Sequence, residues 1–265
     1  MKNFLQDIVT LKRKEVEALK SKRPITEFID SKRLLRGIRP FKEAISSGDG
    51  LNLIAEIKKK SPSFGRNFFR KLDIAGIANI YKREGAKAMS VLTDKKFFSG
   101  SLLHINEVKR AIDLPVLRKD FIIDEYQVYE SRYFGADAIL LIARILSVDQ
   151  IKSFMHLAKK INMDVIVEIH NEFDLEKALL ASPDIIGINN RDLDTLEISI
   201  ENTLRLAPKI PQNIIKISES GISSSGDIKK IRNTEINAVL IGAAFLESGD
   251  IAARVREVMS NEGKG

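Results

Sequence analysis

The chain's 265 residues, 44% hydrophobic and 30% charged with neither cysteine nor tryptophan, fit one large α/β domain or two small ones and exclude wholesale disorder. Lack of cysteine excludes disulfides, thiolate metal sites and a cysteine nucleophile, and the three histidines (His104, His156 and His170) are too scattered for a zinc site, so no metal is expected. The formal charge of +7 sits in residues 1–60, which hold 15 Lys and Arg against 8 Asp and Glu and leave 28 of each for the rest.

The N-terminal stretch MKNFLQDIVTLKRKEVEALK is charged throughout and has no apolar leader, and nothing later approaches 18 consecutive apolar residues. A soluble cytoplasmic protein with no membrane partner is therefore expected. Residues 1–50 read as helices, with LQDIVTLKRKEVEALKS the clearest and FKEAISSG the last. An apolar stripe of Leu5, Ile8, Leu11, Val16 and Leu19 must be buried against something, and the lysines beside it are expected to stay in solvent. The basic excess is read most simply as a solvated helical surface, or else as a cover that attracts an anion. No aromatic stacking platform accompanies it, so nucleic acid is not an expected partner.

From residue 51 short apolar, β-branched runs begin at 51, 88, 115, 137, 163, 184, 213 and 236, a mean spacing that leaves room for a strand, a loop and a helix in each unit. Between them, residues 71–86 place Ile74, Ile77, Ala78 and Tyr81 on one helical stripe that ends at Gly85. Residues 147–163 open with Ser147 as N-cap and Gln150 three residues on, the pattern of a capping box. Eight such units predict an α/β fold, a (β/α)8 TIM barrel over residues 51–258 with an N-terminal helical extension (1–50), all in one domain spanning 1–265. A doubly wound open sheet is the alternative, since periodicity does not show closure.

In a parallel barrel, chemistry gathers where the strands end. Glu56 and Lys58 end the first run, Lys119 the third, Glu168 the fifth, Asn189 and then Arg191 the sixth, Glu219, Ser220 and Gly221 the seventh, and Gly242 the eighth. Each alone reads as a solvated strand end or a turn. Five of eight strands delivering a charged or amide group to one rim reads as a polar site. Lys58, Lys119 and Arg191 facing Glu56, Glu168 and Glu219 would shift one another's pKa values and divide acid from base roles. The glycine-containing loops SESGISSSGD and IGAAFLESGD suit a phosphate.

The motifs IAEIKKKSPS (54–63), VLTDKKFFSGS (91–101), LRKDFIIDEYQ (117–127), VEIH (167–170), IGINNRDL (186–193), SESGI (218–222) and IGAAFL (241–246) resemble, in order and over nearly the whole chain, those of the indole-3-glycerol-phosphate synthase family of tryptophan biosynthesis. The resemblance implies a carboxy-lyase that closes 1-(2-carboxyphenylamino)-1-deoxyribulose 5-phosphate to indole-3-glycerol phosphate without a cofactor, so that its partner is that anionic phosphosugar; the sequence does not give the oligomeric state, and a monomer is the working expectation. It assigns Lys119 as the general acid at the ribulose carbonyl, with a pKa drawn toward working pH by burial. Glu168 would stabilise the developing cation or act as base, and Glu56 and Lys58 would serve the dehydration and bind the anion. Asn189, Arg191, Glu219, Ser220 and Ser61 would line the polar face. Backbone groups at Gly221, Gly242 and Ala243 would hold the phosphate, and Phe98, Phe121, Leu140, Leu193 and Ile241 the anthranilate ring, although ordinary core packing also accounts for those five. Two positions depart from the family pattern. Phe64 stands where many relatives carry a lysine, and Ala243 stands where Ser or Glu is common. Phosphoribosylanthranilate isomerase, another phosphosugar barrel, is the alternative, but it lacks the pair Glu56/Lys58 together with the lysine of LRKDF.

Overall fold

The structure, a computed structural model, describes residues 4–48, 50–60, 73–192, 195 and 197–260. Eight strands alternate with helices: β1 Asn52–Ile57, β2 Ala88–Leu92, β3 Val116–Lys119, β4 Ala138–Ile142, β5 Asp164–Ile169, β6 Ile185–Asn189, β7 Ile215–Glu219 and β8 Ala238–Ile241. Each pairs in parallel with the next, and Asn52–Ala55 of β1 pair with Ala238–Ile241 of β8, which closes a (β/α)8 barrel and removes the open-sheet alternative.

The extension carries α1 Phe4–Lys22, α2 Thr26–Ile29 and α3 Phe41–Ser46. The remaining helices are α4 Ile74–Arg83, α5 Lys95–Phe98, α6 Leu103–Ala111, α7 Glu125–Tyr133, α8 Val148–Lys160, α9 Glu172–Ala181, α10 Glu201–Leu206, α11 Ser225–Arg232, α12 Ala243–Leu246 and α13 Ile251–Met259. Local chemistry sets their limits. Asp73 caps α4 by accepting the N–H of Gly76, and α4 stops short of Gly85, whose φ of +91° only glycine adopts without strain. Ser147 and Gln150 form the expected capping box at the start of α8.

Strand side chains alternate between two apolar compartments. Ile54, Leu117, Leu140, Ile166, Ile185, Ile217 and Leu240 fill the interior, whereas Leu53, Met89, Ile139, Val167, Ile186 and Val239 pack outward against the helices.

The extension reaches both ends of this barrel. Near its start, Leu5 and Ile8 of α1 join the interior cluster that contains Phe121, Leu140 and Ile142. One turn further, Lys12 contacts Asp94 and Asp120, just beyond the C-terminal ends of β2 and β3. Phe28 of α2 packs against Tyr126 and Tyr133 of α7. At the opposite end, the N–H of Arg39 donates to Asp137 and that of Lys42 to Asp164, both at the N-terminal ends of strands, while Phe41 and Ile45 of α3 are fully buried. Lys12 is 3% exposed, contrary to the expectation that the lysines of α1 remain in solvent. Two aspartates in reach of its ammonium offset the cost of burying it. Arg39 likewise spends its guanidinium on the carbonyls of Lys109, Ile112 and Leu114. Part of the N-terminal charge is thus structural.

Candidate active site

The four odd-numbered strands each send one ionisable side chain into the barrel interior near its C-terminal end: Glu56 from β1, Lys119 from β3, Glu168 from β5 and Glu219 from β7. In such barrels the interior is filled by layers drawn from alternate strands. Here one layer is charged. Lys119 Nζ lies 2.5 Å from Glu219 Oε2 and 3.2 Å from Glu168 Oε2, and Lys58 Nζ lies 2.7 Å from Glu56 Oε1. Glu56, Glu168 and Glu219 are all buried, and Oε1 of Glu219 has no hydrogen-bond partner among the described residues.

Burial pulls the Lys119 ammonium down, but the charges of Glu219, Glu168 and Glu56 outweigh it and its pKa stands well above the ordinary lysine value. This corrects the expectation of a lysine drawn toward working pH: burial is present, but the neighbours are carboxylates rather than apolar groups. For Glu168, burial favours the neutral form, yet Lys119 and His170 prevail and hold it below the ordinary carboxylate range. Glu219 goes the other way. Burial, helped by the nearby charge of Glu168, pushes it up against the pull of Lys119. Three like-charged groups share the cations available, so one of them binds its proton more tightly.

The ends of β6 and β7 form a second wall. Asn189 is buried and accepts the backbone N–H of Arg191 through Oδ1. Burial lowers the Arg191 guanidinium pKa while Glu56 opposes the shift, which puts that cation within electrostatic reach of the charged layer. Ser220 and Gly221 both have positive φ, +67° and +76°, so the loop after β7 turns sharply. A β-carbon on Gly221 would collide with Ile198. At the end of β8, Gly242 precedes α12, which has no side-chain N-cap, whereas α11 is capped by Ser224 and Asp227.

Among the apolar candidates, Phe121 and Leu140 belong to the interior cluster and Phe98 packs against it, with the rings of Phe98 and Phe121 6.5 Å apart. Ile241 is not brought together with them. It belongs to the layer between strands and helices, and Leu240 takes the inward position, because adjacent strand residues face opposite sides. Ala243 opens α12. Ser61 and Leu193, like Phe64, lie outside the described residues.

Several contributors are not evident from strand ends. Asn190 bridges the loops after β6 and β7 by donating to Ser218 Oγ and the carbonyl of Ser220 and accepting from Thr203. Lys12 approaches Asp94 at 2.7 Å and Asp120 at 3.0 Å, while Asp120 also accepts from Thr93 and Arg118. That cluster fixes the residue next to Lys119 and, through the capping of α5 by Asp94, the short helix that ends in Phe98. His170 lies beside Glu168. Gly187, in the middle of an apolar strand, is a sequence signal that another group comes close there, and that group is Glu219.

The family model described as indole-3-glycerol phosphate synthase matches residues 5–258. An indole-3-glycerol phosphate synthase from Caldanaerobacter subterraneus subsp. tengcongensis is 44% identical over 254 residues, 96% of each chain. One from Endomicrobium trichonymphae is 46% identical over 218 residues, 82% of this chain and 84% of that one. Among solved structures, 3-hexulose-6-phosphate synthase from Salmonella typhimurium superposes with a TM-score of 0.64 at 15% identity, covering 78% of this chain and 96% of that one, a likeness of fold alone.

Proposed function

The chain belongs to the indole-3-glycerol phosphate synthase family, carboxy-lyases of tryptophan biosynthesis, and on that premise we propose that its charged layer carries out the ring closure, decarboxylation and dehydration of 1-(2-carboxyphenylamino)-1-deoxyribulose 5-phosphate. The observation that carries this reading is Lys119, a cation at the mouth of the barrel held between Glu168 and Glu219.

Lys119 arrives protonated, as an acid must. Substrate binding exchanges its contact with a carboxylate for one with the ribulose carbonyl, and the ammonium then polarises and protonates that oxygen as the aromatic ring attacks. A lysine whose pKa is raised gives up its proton reluctantly. The carbonyl oxygen, however, becomes strongly basic as the bond forms, and the freed carboxylates return to the site as bases. Glu168, held ionised, faces the positive charge that develops on the ring system and accepts a proton later. Glu219, whose pKa burial raises, takes up a proton more readily than Glu168 once Lys119 turns away. The pair Glu56 and Lys58 serves the dehydration, where one group removes a proton and the other assists departure of hydroxide as water.

Binding follows the same geometry. Uncapped backbone N–H groups at the start of α12, with those of Gly221 and Gly242, suit the phosphate. Arg191 and Lys58 oppose the other anionic end, and Asn189 and Ser220 line the polar wall. Phe98, Phe121 and Leu140 offer the ring an apolar surface. Mixing the purified protein with the carboxyphenylamino-deoxyribulose phosphate tests the proposal. Indole fluorescence should rise against a dark background, because the chain has no tryptophan; no rise at micromolar enzyme would overturn it.

A further inference from the structure

His170 follows β5 by one residue and is 6% exposed. Its Nε2 lies 3.3 Å from Glu168 Oε1, and its Nδ1 lies 3.5 Å from Asp174 Oδ2. Asp174, in the first turn of α9, is itself buried; it accepts the backbone N–H of His170 at 3.0 Å and lies 3.9 Å from Arg144 Nε. From α10, Asn202 donates to the carbonyl of His170. The backbone of His170 is thus held by hydrogen bonds, while its ring nitrogens sit at ion-pair distance from two carboxylates without a well-directed hydrogen bond to either. On the far side of Glu168, Lys119 occupies Oε2, so each oxygen of this carboxylate faces a different basic group.

We propose that His170 is a positioning residue for the reaction: as an imidazolium anchored by Asp174, it keeps Glu168 ionised and in place when Lys119 turns to the substrate. The proposal rests on the reading of Glu168 as a working carboxylate. A buried carboxylate deprived of its one cation takes up a proton. Once Lys119 has given its proton to the carbonyl it is neutral and no longer balances Glu168, so a second charge has to remain. The groups that face the ring are Glu168 on its own strand, Asp174 on α9, Lys119 and Glu219 beyond Glu168 in the barrel, and Arg144 beyond Asp174. Burial works against the charged ring, but Asp174 and Glu168 outweigh it and its pKa is pushed up to about 9.

The test compares kcat against pH for the wild-type enzyme, His170→Gln and Glu168→Gln. In His170→Gln the acid limb should move up by about one pH unit, so that kcat falls roughly tenfold at any pH on the acid limb of the wild-type profile, with KM changed less than threefold. A merely structural role would lower kcat equally at every pH. If Glu168→Gln is inactive while the His170→Gln profile superposes on wild type, the positioning role is wrong and the reading of Glu168 stands. If Glu168→Gln retains wild-type kcat, that reading fails and takes the positioning role with it. Independently of variant stability, the His170 ring of the wild-type protein, followed by NMR, should titrate above pH 8. A ring that is neutral at pH 7 would overturn the proposal.

Discussion

Glu219 occupies the space that a side chain on Gly187 would need. A β-carbon built on Gly187 falls inside the contact distance of Glu219 Oε1 and only 3.0 Å from Ile166 Cγ2. The same relationship recurs between strands β8 and β1, where a β-carbon on Gly242 would lie 2.6 Å from Glu56 Oε1 and 2.7 Å from Glu56 Cβ. Glu219 and Glu56 enter the interior where glycines beside them leave room.

Gly187→Ala should therefore displace Glu219 from Lys119. Overpacking of this kind costs about 1–3 kcal/mol, readable as a lower denaturation midpoint. The kinetic effect should be larger than that cost suggests, with kcat reduced at least roughly tenfold, because a misplacement of the order of 1 Å among reacting groups is expensive. A variant that loses stability but keeps full kcat would show that Glu219 can move without consequence.

Lys119→Ala should lower kcat by about 10²–10⁴-fold while leaving the affinity for a phosphate-bearing product analogue within about tenfold, since it removes an acid and not an anchor. Glu168→Gln should act mainly on kcat as well. Should either variant raise KM with kcat intact, the residue concerned binds substrate and does not take part in the chemistry.

Lys12→Met tests the ionic hub between the extension and the ends of β2 and β3. Removing one partner from a buried pair leaves carboxylates uncompensated, a loss of about 3 kcal/mol that Arg118 partly offsets at Asp120. The hub also predicts acid sensitivity. Burial favours the neutral form of Asp120, but Arg118, Lys12 and Thr93 hold its pKa below the ordinary 3.8. Its stabilising contribution is then fully present above that ordinary value and is lost as pH falls below it, because the unfolded chain binds the proton more readily. Denaturation of the wild type below pH 4 should be steeper than that of Lys12→Met, and identical acid profiles would exclude the hub as a contributor.

Deleting residues 1–45 is expected to cost the barrel its solubility. Phe41 and Ile45 are fully buried, each worth roughly 1.5–3 kcal/mol, and their removal exposes the N-terminal end of the strands. Removal of residues 1–22 alone isolates α1. That variant should stay folded but show a raised KM whose dependence on salt is shallower than in the full chain, because screening acts on exposed charges beyond roughly 10 Å at 0.1 M ionic strength. Equal KM and equal salt dependence would leave α1 without a part in substrate capture.

The barrel was legible because all eight strands read as separate apolar runs with helix-sized gaps, and because two of the helices announced their caps. Glu56, Lys58, Lys119, Glu168 and Glu219 were legible for a related reason: alternation along a strand says which residues share the interior, and chain direction says which end they reach. Burial between partners distant in sequence was not legible. Lys12 reads as a surface lysine until Asp94 and Asp120 are placed beside it, and the same blindness made Lys119 look like a desolvated lysine when its true neighbours are acids. His170 carries no metal-ligand pattern, and nothing in the spacing shows that Asp174, four residues on, comes back to its ring. Ile241 shows a smaller failure: a one-residue difference in a strand is the difference between the interior and the outer layer.

The anchoring of the extension bears on the order in which this chain can assemble. Its attachments at Asp94, Asp120, Asp137 and Asp164 fall in the stretch that runs from β2 to β5, while Lys42 also pairs with Asp184 just before β6 and Asn52 of β1 donates to the carbonyls of Ile45 and Ser47. The stretch from β2 to β5 leaves a ribosome before β6, β7 and β8 emerge. The extension, made before the barrel, can thus settle on a half-built, open sheet and shield its apolar faces from neighbouring chains, and the seam between β1 and β8 joins last, since it awaits β8.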